Sequence, residues 1–208
     1  MAKISLDGLN DVQYDVLKEI GNIGAGNATT SLAKMLQMKM DMSVPKVALI
    51  PFTDIDGYIG ASDQIVVGIL LGIEGDIDGM MLFIFDTDSA RHLVNTMMMK
   101  DRNDGIEKGA DFDEMEKSAI KEIGNIVSGS YLTAISSLTG LKMIATVPDM
   151  SIDMIGALLS VPASEFGKYG DKLLFIQSQF GEDNFVNGYF MLIPELESYD
   201  KIFEALGM

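Results

Sequence analysis

The sequence predicts an α/β fold (α+β-like): one internally duplicated, pseudo-two-fold domain in which two long helices pack on a shared antiparallel-rich sheet. Three observations predict it. The hexapeptide KEIGNI occurs at residues 18–23 and again, letter for letter, at residues 121–126. Around both copies the chain follows the same order of helix, extended segment, two strands and a shorter helix. Of the 208 residues, 48% are apolar, which is enough for one sizeable core.

The duplication reaches beyond the hexapeptide. A shift of 103 residues also aligns Gly26 with Gly129 and the dipeptide Val44-Pro45 with Val147-Pro148. Farther on, 79–94 lies over 188–203. Two copies are too few for an open solenoid. We therefore expect a single domain, 1–208, made of two repeats at about 1–103 and about 104–208.

Each repeat opens with a long helix. Asn10 is placed to cap the first, with Gln13 three residues later, and the helix is expected to end near Gln37. The second is expected from Asp113 to about Thr139. An extended segment follows each helix, because the residue before a proline is pushed out of helical geometry.

Two apolar strands come next in each repeat, joined by polar turns. We predict them at IVVGILLGI and GMMLFIFD in the first repeat, and at KLLFIQSQF and NGYFMLIP in the second. A shorter helix closes each repeat, at 88–99 and at 197–208. Strands paired as hairpins favour a largely antiparallel sheet over alternating βαβ units.

Composition excludes several functions. The net charge of −16 argues against a nucleic-acid partner, since phosphates would be repelled. No apolar run is long enough to cross a bilayer, so no membrane insertion is expected. Cysteine is absent, and the N-terminus lacks the apolar core of a signal peptide, so we expect a cytoplasmic protein.

The repeated motif places an acid and a carboxamide one turn apart on the helix face opposite Leu17 and Ile20. The residues of this stripe are Asp15, Glu19, Asn22 and Gly26 in the first repeat, and Ser118, Glu122, Asn125 and Gly129 in the second. Glycine in a helix costs about 1 kcal/mol relative to alanine, but it leaves room for another molecule to approach. The alternative is that the glycines allow two helices to cross closely and the polar residues are merely solvated.

Other candidate chemistry is weak. His92 is the only histidine and lies in a predicted amphipathic helix, where a packed or surface role fits better than catalysis. The segment GNIGAG follows no strand and lacks the lysine of a phosphate-binding loop. DIDG at 54–57 lacks the later ligands of a calcium loop. No metal site is predicted.

The pattern Asp/Ser-x3-Glu-x2-Asn-x22-Pro resembles the signature of the CheC/CheX/FliY family of chemotaxis phosphatases. Asp15, Glu19, Asn22 and Pro45 match it in the first repeat, and Ser118, Glu122, Asn125 and Pro148 match it in the second. Two complete copies resemble the CheC branch of that family.

The resemblance implies hydrolysis of the aspartyl-phosphate of the response regulator CheY. The receiver would supply the phosphoryl group, Mg²⁺ and a lysine, so no cofactor is expected on this chain. Asn22 and Asn125 would position the attacking water, and Glu19 and Glu122 would dock the receiver's lysine. Asp15 and Ser118 would be secondary, and the two prolines structural. The alternative is a non-catalytic adaptor or flagellar-switch module that binds CheY.

The resemblance also implies a second partner, the receptor deamidase CheD. Residues 151–160 resemble the part of the family that meets CheD, and Asp153 would make a polar contact there. The alternative for this segment is an amphipathic helix that completes the fold. Because the duplication supplies a two-fold relation within one chain, we expect a monomer.

Overall fold

A computed structural model describes residues 8–39, 46–51, 54–166, 172–180 and 186–208. The helices are α1 (Asp11–Leu36), α2 (Asp56–Ile59), α3 (Thr87–Met97), α4 (Glu114–Thr139), α5 (Ile155–Phe166) and α6 (Leu196–Ala205), with a 3₁₀ turn at Ile106–Lys108. The strands are β1 (Lys46–Pro51), β2 (Ile65–Gly75), β3 (Gly79–Asp86), β4 (Met143–Ala145), β5 (Asp149–Met154), β6 (Lys172–Phe180) and β7 (Val186–Pro194).

The two long helices begin and end as their sequences predict. The side chain of Asn10 accepts a hydrogen bond from the backbone of Gln13, whose side chain accepts one from the backbone of Asn10. Asp113 and Glu116 form the same reciprocal pair at the start of α4. These capping boxes satisfy amide groups that the first helical turn leaves unpaired. Gln37 and Gly140, both with left-handed backbone geometry, end the helices.

Within the described ranges, the seven strands form one sheet of order β1-β6-β7-β3-β2-β4, with β5 also paired to β2, and every pairing is antiparallel. The repeats exchange the strands that follow their Val-Pro dipeptides in the sequence. Strand β1 of the first repeat pairs with β6 of the second, while β5 of the second pairs with β2 of the first. The predicted fold class and continuous sheet are confirmed.

A pseudo-two-fold axis passes through the middle of this sheet, between β3 and β7. The sequence alignment that places Gly79 on Gly188 also places Leu82 on Met191, and these two residues are direct partners across the β3–β7 ladder. Phe85 pairs with Gly188, and Gly79 with Pro194, so the ladder is symmetric about that central pair. The chain therefore builds within itself the arrangement of a two-fold dimer.

Each face of the sheet carries its own apolar layer. Alternate residues of β3, such as Phe83 and Phe85, point toward α1, α3, α4 and α6. Leu82 and Ile84 point to the other face, where α2 and α5 cover a smaller cluster. This alternation follows from the two-residue period of a strand. It places both long helices side by side on one face.

The segments that follow the long helices differ in detail from the prediction. Residues 151–154 belong to β5 and only 155 onward is helical, so the predicted CheD-facing segment is part strand and part helix. The closing helices are slightly shorter than predicted. In the described part of the chain, no helix has the length and apolar character needed to span a membrane.

Candidate functional site

Both predicted stripes lie on the outer surface of the long helices. Asp15 and Glu19 are exposed and Asn22 is half-buried on α1. On α4, all three equivalent side chains are exposed: Ser118, Glu122 and Asn125. The opposite sides of the helices carry the buried residues that pack on the sheet, including Leu17 and Ile20 at 2% exposure. Each acid and its carboxamide are therefore presented to solvent by a helix anchored from behind.

The glycines of the motif have two different roles. A methyl group built on Gly26 or on Gly129 meets no atom within 4 Å, so the surface above each stripe is open. A methyl group on Gly24 would overlap the ring of Tyr131 from α4. The open surface expected over Gly26 and Gly129 is present, so the alternative of close helix packing does not describe these two residues. Close helix packing instead involves Gly24, on the opposite side of α1.

The charges beside the two stripes differ. On α1, the Lys18 ammonium lies 4.3 Å from the centre of the Tyr14 ring and 3.8 Å from the Asp15 carboxylate. On α4 the position equivalent to Tyr14 is Lys117, which lies 2.8 Å from Glu114. This hydrogen-bonded pair lowers the pKa of Glu114 and raises that of Lys117. The surroundings of the second stripe are less acidic, because Ser118 and Lys117 stand where the first repeat has Asp15 and Tyr14.

A polar cleft flanks the second stripe. It lies between the start of α4 and strand β5, and its lining residues are Glu114, Lys117, Ser118, Lys121, Met150, Ser151 and Ile152. Lys121 was not among the predicted site residues, although it belongs to the repeated KEIGNI and is equivalent to Lys18. A lysine directly precedes the motif glutamate in both repeats, and this recurrence was the signal that could have identified Lys121.

A second groove runs between the two long helices. Asn27 and Ser31 of α1 line it together with Asn125, Ile126, Gly129, Ser130 and Thr133 of α4. The groove joins the second site to residues of the first repeat. Asn27 and Ser31 were not predicted as site residues, because nothing in the sequence indicates which residues of one helix face the other.

Pro148 and Asp153 line neither of these grooves. Pro45 falls outside the described residues. Pro148 is half-buried between β4 and β5. Asp153 is exposed on β5, opposite Val66 of β2, and accepts a hydrogen bond from the backbone of Met154 at 2.8 Å. It lines a shallow groove with Ser151, Leu158 and Val161.

The remaining candidates show no catalytic arrangement. The His92 ring nitrogen Nδ1 lies 2.9 Å from the backbone oxygen of Arg102, consistent with a surface structural contact. Across the described ranges, no three or more acids and histidines are grouped in a way that could hold a metal ion.

Comparison with known proteins supports one family. The model of the CheC-like family matches residues 12–49 and 115–152, two segments whose starts are 103 residues apart (115 − 12). The chain is 34% identical over 204 residues to a protein of Bacillus subtilis named CheY-P phosphatase CheC, and the match covers 97% of each chain. It is 29% identical over 149 residues to the B. subtilis flagellar motor switch phosphatase FliY, a match that covers 71% of this chain and 37% of that one.

Among solved structures, Thermotoga maritima FliY superposes with a TM-score of 0.74 and covers 96% of this chain and 98% of its own. The identity between the two is 20%, so this likeness concerns the fold alone.

Proposed function

We propose that this chain, which belongs to the CheC-like family, is a phosphatase that hydrolyses the aspartyl-phosphate of the chemotaxis response regulator CheY. The observation that carries the proposal is the near full-length similarity to a named CheY-P phosphatase, together with two Glu-x2-Asn pairs on the outer surface of the long helices. The pairs recur at the same helical spacing in both repeats.

Each asparagine positions the attacking water. A carboxamide donates through Nδ2 and accepts through Oδ1, so one side chain can hold a water molecule in a fixed orientation. It also carries no charge that would repel the phosphoryl oxygens. Since phosphoryl transfer depends mainly on positioning and electrostatics, orienting the water is a large part of the required catalysis. Asn22 and Asn125 have this role.

Each glutamate docks the receiver. Glu19 and Glu122 lie one turn before the asparagines and pair with the lysine of the phosphorylated receiver by a charge-assisted hydrogen bond. Mg²⁺ belongs to the receiver, which is the substrate. The open surface over Gly26 and Gly129 admits the receiver close to the helix backbone. Asp15 and Ser118 border the contact and help to orient it.

We also propose that the chain binds the receptor deamidase CheD around Asp153. The support is an exposed carboxylate beside a partly apolar groove lined by Leu158 and Val161. This surface is formed by β5 and α5, on elements distinct from the two stripes.

Phosphate release from phosphorylated CheY tests the enzymatic proposal. We expect the chain to accelerate release above the receiver's own rate when present at substoichiometric amounts. Binding to phosphorylated CheY without acceleration would instead identify a non-catalytic adaptor or flagellar-switch module.

A further inference from the structure

The two candidate sites lie on neighbouring antiparallel helices. The Tyr131 hydroxyl of α4 donates a hydrogen bond to the Gly21 carbonyl of α1 at 3.0 Å. Ser31, later in α1, shares a groove with Asn125, which comes before Tyr131 in α4. Residues late in α1 therefore lie beside residues early in α4, so the two helices run antiparallel. Both stripes face away from the same side of the sheet, because both helices bury their inner faces in one apolar layer.

The separation of the two asparagines follows from helix geometry. Asn125 lies level with the part of α1 between Asn27 and Ser31, about five to nine residues beyond Asn22. At 1.5 Å per residue this is roughly 8–14 Å along the helix axis. Packed helix axes lie about 8–10 Å apart, so the two asparagine backbones are roughly 11–17 Å apart.

A receiver domain is much wider than this separation. A globular domain of about 100 residues has a radius of gyration near 13 Å, which corresponds to a diameter of about 30 Å. Two such domains docked from the same side of the sheet, each over its own asparagine, would overlap. The groove between the helices also lies beside Asn125 and reaches Asn27, whose side chain donates to the carbonyl of Ile23 next to Asn22. A receiver at either site therefore covers part of the other.

We propose that the two stripes and the groove between them form one docking surface that admits one receiver at a time. The inference rests on the proposed function and specifies its stoichiometry. The two sites are alternative footprints related by the pseudo-two-fold axis. Asn27 and Ser31 of the first repeat contact the receiver that Asn125 serves.

A titration measures the stoichiometry directly. We expect calorimetry with beryllofluoride-activated CheY to give one receiver per chain at saturation, and light scattering to give the mass of a one-to-one complex. Two receivers per chain would overturn the inference and leave the proposed function intact. If the wild-type chain neither binds the receiver nor accelerates phosphate release, the proposed function fails, and the shared docking surface fails with it.

Steady-state kinetics supply an independent readout. In Asn125→Ala, a receiver docked on the inactive second site through Glu122 blocks the first site. Adding Glu122→Ala removes this unproductive docking, so the double variant should have a higher kcat than Asn125→Ala alone, by about twofold if both sites bind equally. With independent sites the second substitution would leave kcat unchanged, and that result would overturn the inference. The mirror pair, Asn22→Ala with and without Glu19→Ala, is the matched control and should respond in the same way.

Discussion

The ring of Tyr131 lies against the backbone of Gly24, in the space that a β-carbon at position 24 would occupy. The same ring contacts Phe190 of the sheet, with ring centres 4.2 Å apart. Tyr131 is 1% exposed, and burial raises the pKa of its hydroxyl well above the ordinary value. The extra glycine of GNIGAG, which is Val127 in the second repeat, is thus explained by helix packing.

Gly24→Ala should destabilise the protein. The new methyl group would overlap a buried aromatic ring, and such overpacking typically costs about 1–3 kcal/mol. Urea unfolding, followed by circular dichroism, measures the free energy of unfolding.

Gly26→Ala is the matched control for that experiment. The site is open, so alanine should raise the free energy of unfolding by about 0.5–1 kcal/mol through helix propensity alone. Equal effects of the two substitutions would contradict the different roles assigned to these glycines.

Asn22→Ala and Asn125→Ala should each leave turnover at the other site, and the double variant should reduce phosphate release to the receiver's own rate. Loss of one orienting hydrogen-bonding group in a catalytic site costs about two to three orders of magnitude in rate. Stopped-flow measurement of CheY dephosphorylation tests this.

Receiver binding is the control for the asparagine variants. Beryllofluoride-activated CheY should still bind the double variant, because Glu19 and Glu122 remain. Folding should be little affected, since Asn125 is exposed and Asn22 is only half-buried. A folded, receiver-binding double variant that still accelerated hydrolysis would rule out the carboxamide mechanism.

Asp153→Arg should abolish co-purification with CheD and leave phosphatase activity unchanged. The substitution reverses the charge of an exposed side chain on β5 that lines neither the cleft beside the second stripe nor the groove between the long helices. Glu107→Arg makes the same charge change at another exposed position, and this variant should still co-purify with CheD. Unchanged CheD binding by Asp153→Arg would show that CheD binds a different surface of the chain.

Acid should weaken a buried ion pair that joins the repeats. Arg91 of α3 lies 2.8 Å from Glu116 of α4, and both side chains are under 10% exposed. Burial alone would raise the pKa of Glu116, but hydrogen bonds from Arg91 and the Asp113 backbone outweigh it and hold this pKa below its ordinary value. Its stabilisation is therefore complete above the ordinary glutamate pKa of about 4.3 and is lost as the pH falls through the lower folded value.

The free energy of unfolding of the wild type, measured in urea between neutral pH and pH values near 3, should therefore fall more than that of Glu116→Gln. Arg91→Met should cost about 3–5 kcal/mol at neutral pH, because it leaves a buried carboxylate without its main partner. Parallel acid profiles for wild type and Glu116→Gln would show that other carboxylates control the acid response.

The free chain should be a monomer. The duplicated halves already pair with each other across β3 and β7. A second copy of the chain is therefore not needed to complete this two-fold arrangement. Light scattering should give a mass near the 22.6 kDa of one chain. A mass of twice that value would contradict the expectation.

Local features of this protein could be predicted from the sequence. The capping boxes at Asn10 and Asp113 depend on residues three positions apart, and the exposed stripes depend on helical periodicity alone. The hairpins β2–β3 and β6–β7 join neighbours in the chain. Because both copies of the motif follow the same local rules, the duplication and the candidate residues could be identified without tertiary information.

Only the tertiary structure decided how the repeats meet. The exchange of β1 and β5 between hairpins, the contact of Tyr131 with Gly24, and the groove shared by Asn27 and Asn125 each join residues far apart in the chain. Such contacts depend on which surfaces bury the most apolar area together, and helix or strand periodicity carries no information about partners at that range. The sequence by itself therefore determined which residues form each stripe. Tertiary packing decided that the helices carrying the two stripes lie side by side on one face of the sheet.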